Sequence, residues 1–405
     1  MAGPNNNLVT LNGLFKEVYA DKLENLIPDG VKLLNMISFV SRQHQEGSLY
    51  HQPVVLGLEH GVTYSTTGDA FTLNSAIAGQ IKDAQVQGAQ LVLRSILSYT
   101  AAARSVGGGT KAFEDATKFL VGNMLRSMAR KLEIELFYGQ VGIGVVSAIA
   151  AQTLTISTAE WAPGIWAGAE SMPINFRTAG GVNHGSANVV SVDMDARTVT
   201  VDAMPGAAVV TDILYVDGSF GNEFAGVHKI LTNTGTLFNI DASLYNLWKG
   251  NQYPAGGAAL SFTKIQSAVA RAVEKGLDGA VKVLVNPRTW SNLLSDQAAL
   301  RMYDSSYKSA EAENGAESIK FHGQNGMIEI TPSTFVKEGY AYILCEEEWM
   351  RVGSTDITFK RPGQGEEFFR DLENAAGYEL RCFTDQAAFC SKPGVQVLIT
   401  GIVNT

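Results

Sequence analysis

The sequence is poor in cysteine, and its histidines lack metal-binding spacing. Among 405 residues there are three cysteines, Cys345, Cys382 and Cys390, with neither the even count of a disulfide framework nor the close pairing of a zinc site. No two of the six histidines lie three or four residues apart, which excludes a helical metal pair; they are His44, His51, His60, His184, His228 and His322. We therefore predict reduced thiols, surface or turn positions for the histidines, and no metal site.

Positive charge is also scarce. The 31 Lys and Arg residues are outnumbered by 40 Asp and Glu residues, which gives a formal net charge of −9. Because binding to phosphates draws on a surplus of basic residues, the chain as a whole is not an electrostatic trap for DNA. If DNA lies nearby, we expect the protein to enclose it without binding it tightly. Hydrophobic residues make up 45% and charged residues 18%, a composition typical of a folded chain.

Long hydrophobic runs are missing as well. The most apolar stretch, Val141 to Ile156, is interrupted by glycines and polar residues and falls short of the roughly 18 continuous apolar residues of a membrane span. Met1 to Leu11 lacks the basic region and apolar run of a signal peptide. We expect a soluble, unexported chain of two or three domains, in which 41 Gly against 11 Pro favours β-structure, hairpins and arms.

No catalytic or cofactor-binding motif is complete. Gly107 to Lys111 approaches a phosphate loop, but Thr precedes Lys, so we predict a hinge followed by a helix cap. Asp193, Asp195 and Asp202 lack the glycine and terminal glutamate of a calcium loop and are predicted to be solvent-facing strand residues. Gly218 to Gly221 is one residue short of a nucleophile elbow and is predicted to be a turn. The sequence therefore predicts no catalytic, cofactor-binding or metal-binding residues.

Two charged groups are interpreted as solvated faces. The run Glu346-Glu347-Glu348 beside Trp349 could bind a cation or the basic surface of a partner, but an exposed strand end is favoured. Arg126, Arg130 and Lys131 are expected on the solvent side of a long helix.

The first third of the chain alternates extended and helical patterns. Residues 1–52 mix short amphipathic pieces with breakers, as expected of an arm that packs on neighbours. Apolar alternation in two runs, Val54 to Leu58 and Leu91 to Leu93, predicts a long two-stranded hairpin with a hydrophilic middle from Ser65 to Gln85. After a hinge at Gly107 to Gly109, a helix is predicted over Lys111 to Tyr138, with an apolar stripe at Val121, Leu125, Met128, Leu132 and Leu136.

The remainder is mostly β-structure. Residues 141–237 are rich in Val, Thr, Ala and Gly and predict a small all-β domain, with a hairpin joining Asn188–Asp193 to Thr198–Asp202. A helix from Ser261 to Gly276 is followed by a buried strand, Val281 to Val285, and by a helix that begins at Pro287 and carries Trp290. Further strands are expected in the last hundred residues.

This order of elements resembles the major capsid proteins of tailed double-stranded DNA phages, the Hong Kong 97-type fold, across almost the whole chain. The most specific local match is the apolar strand that runs into Asn286-Pro287 and a Trp-bearing helix, Val281 to Leu294. The closing stretch, Asp371 to Ile402, resembles the peripheral strands of that family. The resemblance implies an α+β fold divided into an N-terminal arm (1–52), an extended β-ribbon loop (53–106), a spine helix (107–140), an inserted β-domain (141–237), an axial domain (238–345) and peripheral return strands (346–405).

The resemblance also implies a function and partners. It predicts a non-enzymatic shell subunit that forms pentamers and hexamers, closes an icosahedral virion shell in the bacterial cytoplasm, and encloses double-stranded DNA without reading its sequence. A portal and a decoration protein are implied partners, and because the sequence begins at Met1 we expect an uncleaved chain with a separate scaffolding protein. An encapsulin-type compartment is the first alternative. A metabolic α/β enzyme is the second, and a sealed pocket with perturbed titratable residues would favour it.

Overall fold

The computed structural model describes residues 30–40, 49–66, 68, 70–100, 116–295, 318–360, 369–373 and 375–404. The predictions for the first 29 residues, the hinge at Gly107 to Gly109 and the helix cap at Thr110 lie outside these ranges. Within them, no helix is both long and apolar enough to cross a membrane. The described part has an α+β architecture with two larger sheets, a closed barrel and a projecting two-stranded ribbon.

A six-stranded mixed sheet lies in the C-terminal half, in the order β12-β20-β16-β13-β15-β14. The helix Phe262–Val273 packs on it through Ile265, Val269 and other buried residues and begins at Ser261, whose hydroxyl accepts a hydrogen bond from Lys264 N–H. The strands are β12 (Asn251–Ala258), β13 (Val281–Val285), β14 (Ile319–Gly323), β15 (Gly326–Pro332), β16 (Tyr340–Leu344) and β20 (Val397–Ile402).

A closed antiparallel barrel occupies the middle of the chain, in the order β4-β5-β8-β7-β6-β9. Apolar residues that alternate along these strands fill its interior, including Leu154, Phe176, Val199 and Leu214. Closure pairs the first strand with the last and leaves the barrel without a free sheet edge. The strands are β4 (Gly144–Ala150), β5 (Thr153–Ile156), β6 (Pro173–Arg177), β7 (Asn183–Asp193), β8 (Thr198–Val201) and β9 (Ile213–Val216).

A second sheet joins the two ends of the chain around its longest strand, β19. β19 pairs with β3, β17 and β18. The long helix packs against the same core through Met124, Met128, Leu132 and Leu136. The bounds are β3 (Ala89–Ser98), β17 (Trp349–Thr358), β18 (Phe369–Asp371) and β19 (Gly377–Cys390). The helices are α1 (Lys32–Met36), α2, the long helix (Ala116–Tyr138), α3 (Pro163–Trp166), α4 (Val227–Thr232), α5 (Phe262–Val273) and α6 (Pro287–Ser295).

Two small antiparallel pairs complete the description. The first is the ribbon of β1 (Tyr50–Gly57) and β2 (Gln80–Val86), in register from Tyr50 opposite Val86 to Val55 opposite Ile81, with a shift before Gly57 pairs with Gln80. The second is a short hairpin of β10 (Thr236–Leu237) and β11 (Ile240–Asp241) that precedes the six-stranded sheet.

Several local predictions are confirmed. The long helix ends at Tyr138, β13 spans Val281–Val285, α6 begins at Pro287, and β7 pairs with β8 as a hairpin. Gly276 has a φ of +95°, the left-handed conformation expected just after a helix. Gly218 and Gly221 also have positive φ and lie in a turn, as predicted.

Two local predictions are wrong. The first apolar run of the predicted hairpin pairs with Gln80–Val86, whereas Leu91 and Leu93 belong to β3, which pairs with β19. The partner strand was missed because its alternation is largely between polar residues. The predicted stripe of the long helix is wrong at one position: Leu125 is 40% exposed and Met124 is buried instead, whereas Met128, Leu132 and Leu136 are buried as predicted.

Candidate assembly surface

The ribbon extends beyond its paired strands as two exposed chain segments. His60 N–H donates to the Ile77 carbonyl at 3.1 Å, and Asn74 bonds the Thr63 hydroxyl and the Val62 carbonyl across the gap. These few bonds keep the two segments together, but nearly every side chain between Leu58 and Gly79 is exposed. A two-stranded ribbon is marginally stable alone in water, so this one is suited to docking on another surface.

Large apolar side chains are concentrated on this ribbon. Between 50% and 90% of the surface of each of eight such residues is exposed: Val55, Leu58, Val62, Tyr64, Phe71, Leu73, Ile77 and Ile81. Full burial of a side chain of this size contributes roughly 1.5–3 kcal/mol. The middle of the ribbon is exposed, as predicted, but the description of it as hydrophilic was wrong. Such a concentration of exposed apolar groups marks an interaction surface.

The root of the ribbon is firmly attached. Tyr50, Val54 and Leu56 of β1 pack their inward faces against the main core, and Ala84 and Val86 of β2 are buried there. Tyr50 meets the ring of Phe389 edge to face, with 5.7 Å between centroids. The apolar side chains of the outer part therefore project from a fixed base.

A buried carboxylate on the long helix holds the first described segment of the chain. The Glu133 side chain accepts a hydrogen bond from Leu33 N–H at 2.8 Å and another from Leu34 N–H at 2.6 Å, at the start of α1. Glu133 has no exposed surface. Burial raises its pKa to about 7, although the hydrogen bonds from the arm oppose the shift. Residues 30–40 are called the arm segment below.

A buried arginine holds the other end of the arm segment. Arg351 of β17 donates from Nε to the Ile37 carbonyl at 2.9 Å, and its backbone bonds both Ser38 and Val40. Its guanidinium is balanced by Asp356 at 2.9 Å. The arm segment is thus fixed at both ends to elements that are distant in sequence.

A buried polar cluster connects the barrel region to the six-stranded sheet. Lys337 Nζ lies 2.6 Å from a Glu160 oxygen, 3.0 Å from the Gly142 carbonyl oxygen and 4.2 Å from the centre of the Tyr138 ring. The hydroxyl of Tyr340 donates to the other Glu160 oxygen at 2.6 Å. Burial favours protonation of Glu160, but the charge and hydrogen bond of Lys337, together with the Tyr340 hydrogen bond, outweigh it and lower the pKa of Glu160.

His228 belongs to the same cluster, and its predicted surface position is wrong. Its ring is buried, with Nδ1 2.9 Å from the Tyr342 hydroxyl and the ring centroid 4.8 Å from that of Tyr340. Burial, with the Lys337 charge, lowers the pKa of His228 to about 4. The groups of this cluster contact one another and backbone carbonyls. These contacts explain their burial as part of the structural connection between the barrel region and the six-stranded sheet.

The basic residues of the long helix are also less solvated than predicted. Arg130 donates to the Gly164 and Ala167 carbonyls at 2.8 and 2.6 Å, which fixes α3 to the helix. Burial lowers the pKa of Lys131 to about 8. In contrast, Glu346 and Glu347 are exposed, as predicted, in a short 3-10 turn before β17, and Glu348 pairs with Lys392 at 2.6 Å.

The rest of the described residues give little support for a catalytic or metal-binding site. Among them no three His, Cys, Asp or Glu side chains lie close enough together to hold a metal ion. All three cysteines are buried and unpaired, in agreement with reduced thiols. A cleft of about 720 Å³ near the ribbon root is lined by glutamines, glycines and apolar residues, with Glu223 as the one titratable side chain among its described residues.

Comparison with solved structures finds similar folds over almost the whole chain. The capsid asymmetric unit of cyanophage A-1(L) matches with a TM-score of 0.59 and 10% identity, covering 98% of this chain and 99% of that chain. The capsid of a native GTA particle gives 0.55 and 11%, covering 98% and 99%. The capsid of Myoviridae phage XM1 gives 0.50 and 9%, covering 99% and 100%. No protein-family profile and no curated protein matches the sequence significantly. The chain has the α+β fold of these capsid structures, as the Hong Kong 97-type resemblance predicted.

Proposed function

We propose that this chain, which has the fold of phage capsid subunits, is a major capsid protein that self-assembles into an icosahedral shell around double-stranded DNA. The exposed apolar ribbon is the observation that carries the proposal. Eight large apolar side chains on a firmly rooted projection are costly in water unless a second copy covers them. Shell formation by repeated burial of this surface needs no catalytic group.

The predicted divisions take the following roles in this proposal, with one correction: β20, predicted among the peripheral return strands (346–405), lies in the six-stranded sheet between β12 and β16. The six-stranded sheet and its helices would make the axial contacts of pentamers and hexamers, and the ribbon, the arm and the long helix would join neighbouring subunits. The inserted barrel, whose strands close on themselves, adds a separate surface to the subunit. A scaffolding protein, a portal and a decoration protein are the proposed partners in the virion, which would assemble in the bacterial cytoplasm.

The proposed relation to DNA follows from charge. A net charge of −9 suits a shell that contains DNA at high density better than one that binds it tightly, because gripping phosphates needs a surplus of Lys and Arg. An encapsulin-type shell would use the same fold without a genome. Ultraviolet absorbance and nuclease-protected nucleic acid in particles purified from an infection would support the phage reading, and particles filled with protein cargo would contradict it.

The assembly surface is tested by polar substitution of the ribbon. A triple variant, Leu58→Ser, Tyr64→Ser and Leu73→Ser, changes three exposed side chains and should unfold at the same denaturant concentration as wild type. We expect sedimentation velocity to show particles for wild type and free subunits or small oligomers for the variant. A matched control, Val182→Ser with Val190→Ser, changes exposed valines of the barrel region and should assemble as wild type does. Normal particles from the ribbon variant would contradict the proposal.

A further inference from the structure

The short hairpin of β10 and β11 stands beside the root of the ribbon. Its strands pair Thr236 with Asp241 and Leu237 with Ile240, which leaves Phe238 and Asn239 as a two-residue tip. Both tip residues have positive φ, 54° and 63°. Positive φ at both central residues is the signature of a type I′ hairpin turn.

Phe238 is an unusual residue for a left-handed backbone. Asparagine tolerates this conformation, whereas a bulky side chain brings its Cβ too close to the following carbonyl oxygen. The Phe238 ring lies 5.5 Å from the ring of Phe389, which is completely buried in β19. Phe389 also contacts Tyr50 at the root of the ribbon. One buried ring therefore holds both the strained residue and the first ribbon strand.

The tip also bonds the outer edge of β2. Gln85 N–H donates to the Phe238 carbonyl at 3.1 Å, and the Asn239 side-chain amide donates to the Asp83 carbonyl at 3.3 Å. The hairpin tip therefore supplies the ribbon root with hydrogen bonds on the edge that β1 does not cover.

Open space lies next to this contact. The cleft of about 720 Å³ is bordered by the ribbon root and the turn into β3, by the hairpin at Leu237 and Phe238, and by residues 221–225. The turn that joins the ribbon to β3 is therefore not packed on this side. The hydrogen bonds from the hairpin tip therefore restrict the movement of the ribbon root where side-chain packing does not.

We propose that the β10–β11 hairpin is a clamp that fixes the direction in which the ribbon leaves the subunit. The inference rests on the proposed function: the direction of the ribbon matters because the ribbon must reach a neighbouring copy. A ribbon held in one direction before assembly loses less conformational entropy when it docks. Strain at Phe238 is maintained by Phe389 and by the two hydrogen bonds, so the tip occupies a defined position against β2.

Substitution of the tip tests the clamp in the free subunit. Phe238→Gly with Asn239→Gly keeps a backbone that accepts positive φ but removes the ring and the amide donor. We expect the Gln85 amide to exchange with deuterium at least about tenfold faster, because the ordering of this edge depends on the docked tip. Phe238→Tyr retains the ring and should exchange like wild type. Leu244→Ser, an exposed change in the same connection, is the matched control.

A second readout reports the ribbon direction itself. Spin labels at Ser75→Cys on the ribbon and Asp195→Cys on the barrel, with the three native cysteines buried, give a distance distribution in the free subunit. We expect a narrow distribution for wild type and Phe238→Tyr and a broad one for the double glycine variant, whose particles should be open or mixed in size.

The outcomes separate the clamp from the proposed function. Unchanged Gln85 exchange and an unchanged distance distribution in the double glycine variant would overturn the clamp, whether or not particles form. Closed particles of wild-type size from that variant would also overturn it. Failure of the wild-type chain to form particles would count against the proposed function, while the measurements on the free subunit would still decide the clamp.

Discussion

Glu133 on the long helix accepts a hydrogen bond from the backbone N–H of Leu33 in the arm segment, with 2.8 Å between Oε1 and the nitrogen. Its other oxygen accepts from the next residue, Leu34, so a single buried carboxylate satisfies two N–H groups at the start of α1. The first turn of a helix leaves its N–H groups without partners inside the helix, and burial without an acceptor would be costly. The docking of the start of the arm segment therefore depends on one side chain far away in sequence.

Removal of this acceptor should release the arm segment. In Glu133→Ala both N–H groups lose their partner, at about 1–3 kcal/mol for each buried donor. We expect hydrogen exchange of residues 32–36 to rise sharply while the amides of the long helix stay protected. Glu170→Ala, on an exposed glutamate, is the control. Equal arm protection in Glu133→Ala and wild type would show that the carboxylate does not hold the arm.

Glu133 should also make the stability of the subunit depend on pH. Its pKa is about 7 in the folded chain against an ordinary value of 4.5, so between these values the folded state binds a proton that the unfolded state has released. The stabilising contribution is therefore complete below pH 4.5 and is lost as pH rises to 7, by up to about 3 kcal/mol. Denaturant unfolding of wild type and Glu133→Gln measures this. The difference in unfolding free energy, wild type minus variant, should fall over that window, and a constant difference would contradict the assignment.

The Lys337–Glu160 pair should be strongly coupled. Lys337→Met leaves the Glu160 carboxylate without its charged partner, and loss of one member of a buried pair costs about 3–5 kcal/mol. Adding Glu160→Gln should recover a large part of that loss, because no uncompensated charge remains. A double-mutant cycle in chemical denaturation gives the coupling energy. Additive effects would mean that the two charges act independently, despite the 2.6 Å between Lys337 Nζ and Glu160 Oε2.

The free subunit should bind duplex DNA weakly. Lys and Arg are in deficit, so few counterions can be released on binding, and the affinity should change little with salt. Fluorescence anisotropy with a labelled duplex at two salt concentrations checks this. Tight, salt-sensitive binding by the free subunit would contradict the proposal that the shell contains DNA without gripping it.

Local patterns in the sequence predicted local structure well. The helix that begins near Ser261, the buried strand that ends at Val285 and the helix that starts at Pro287 each depend on neighbouring residues, and each was found where the pattern placed it. The hairpin of β7 and β8 is local too, and its alternation of Val with polar residues located its two strands. In these elements, propensity and burial favour the same conformation.

Contacts between distant parts of the chain were not visible in the sequence. β3 pairs with β19 near the other end of the chain, and nothing in the alternation of Leu91 and Leu93 identifies that partner. The burial of His228 and Lys337 was missed because a single polar residue gives no sign of the partners that tertiary structure brings to it. The apolar side chains of the ribbon are scattered among Ser, Thr and Gly, so their concentration on one projection appeared only in the fold.

The proposed function is tested most directly by electron cryomicroscopy of particles formed by the purified chain, alone or with a scaffolding protein from the same source. We predict closed icosahedral shells in which the ribbon of each subunit lies on a neighbouring copy, with Leu58, Tyr64 and Leu73 covered. The free subunit has these side chains 74%, 90% and 74% exposed, so the change on assembly is large. A chain that stays monomeric under all conditions, or shells whose ribbons remain exposed to solvent, would contradict the account.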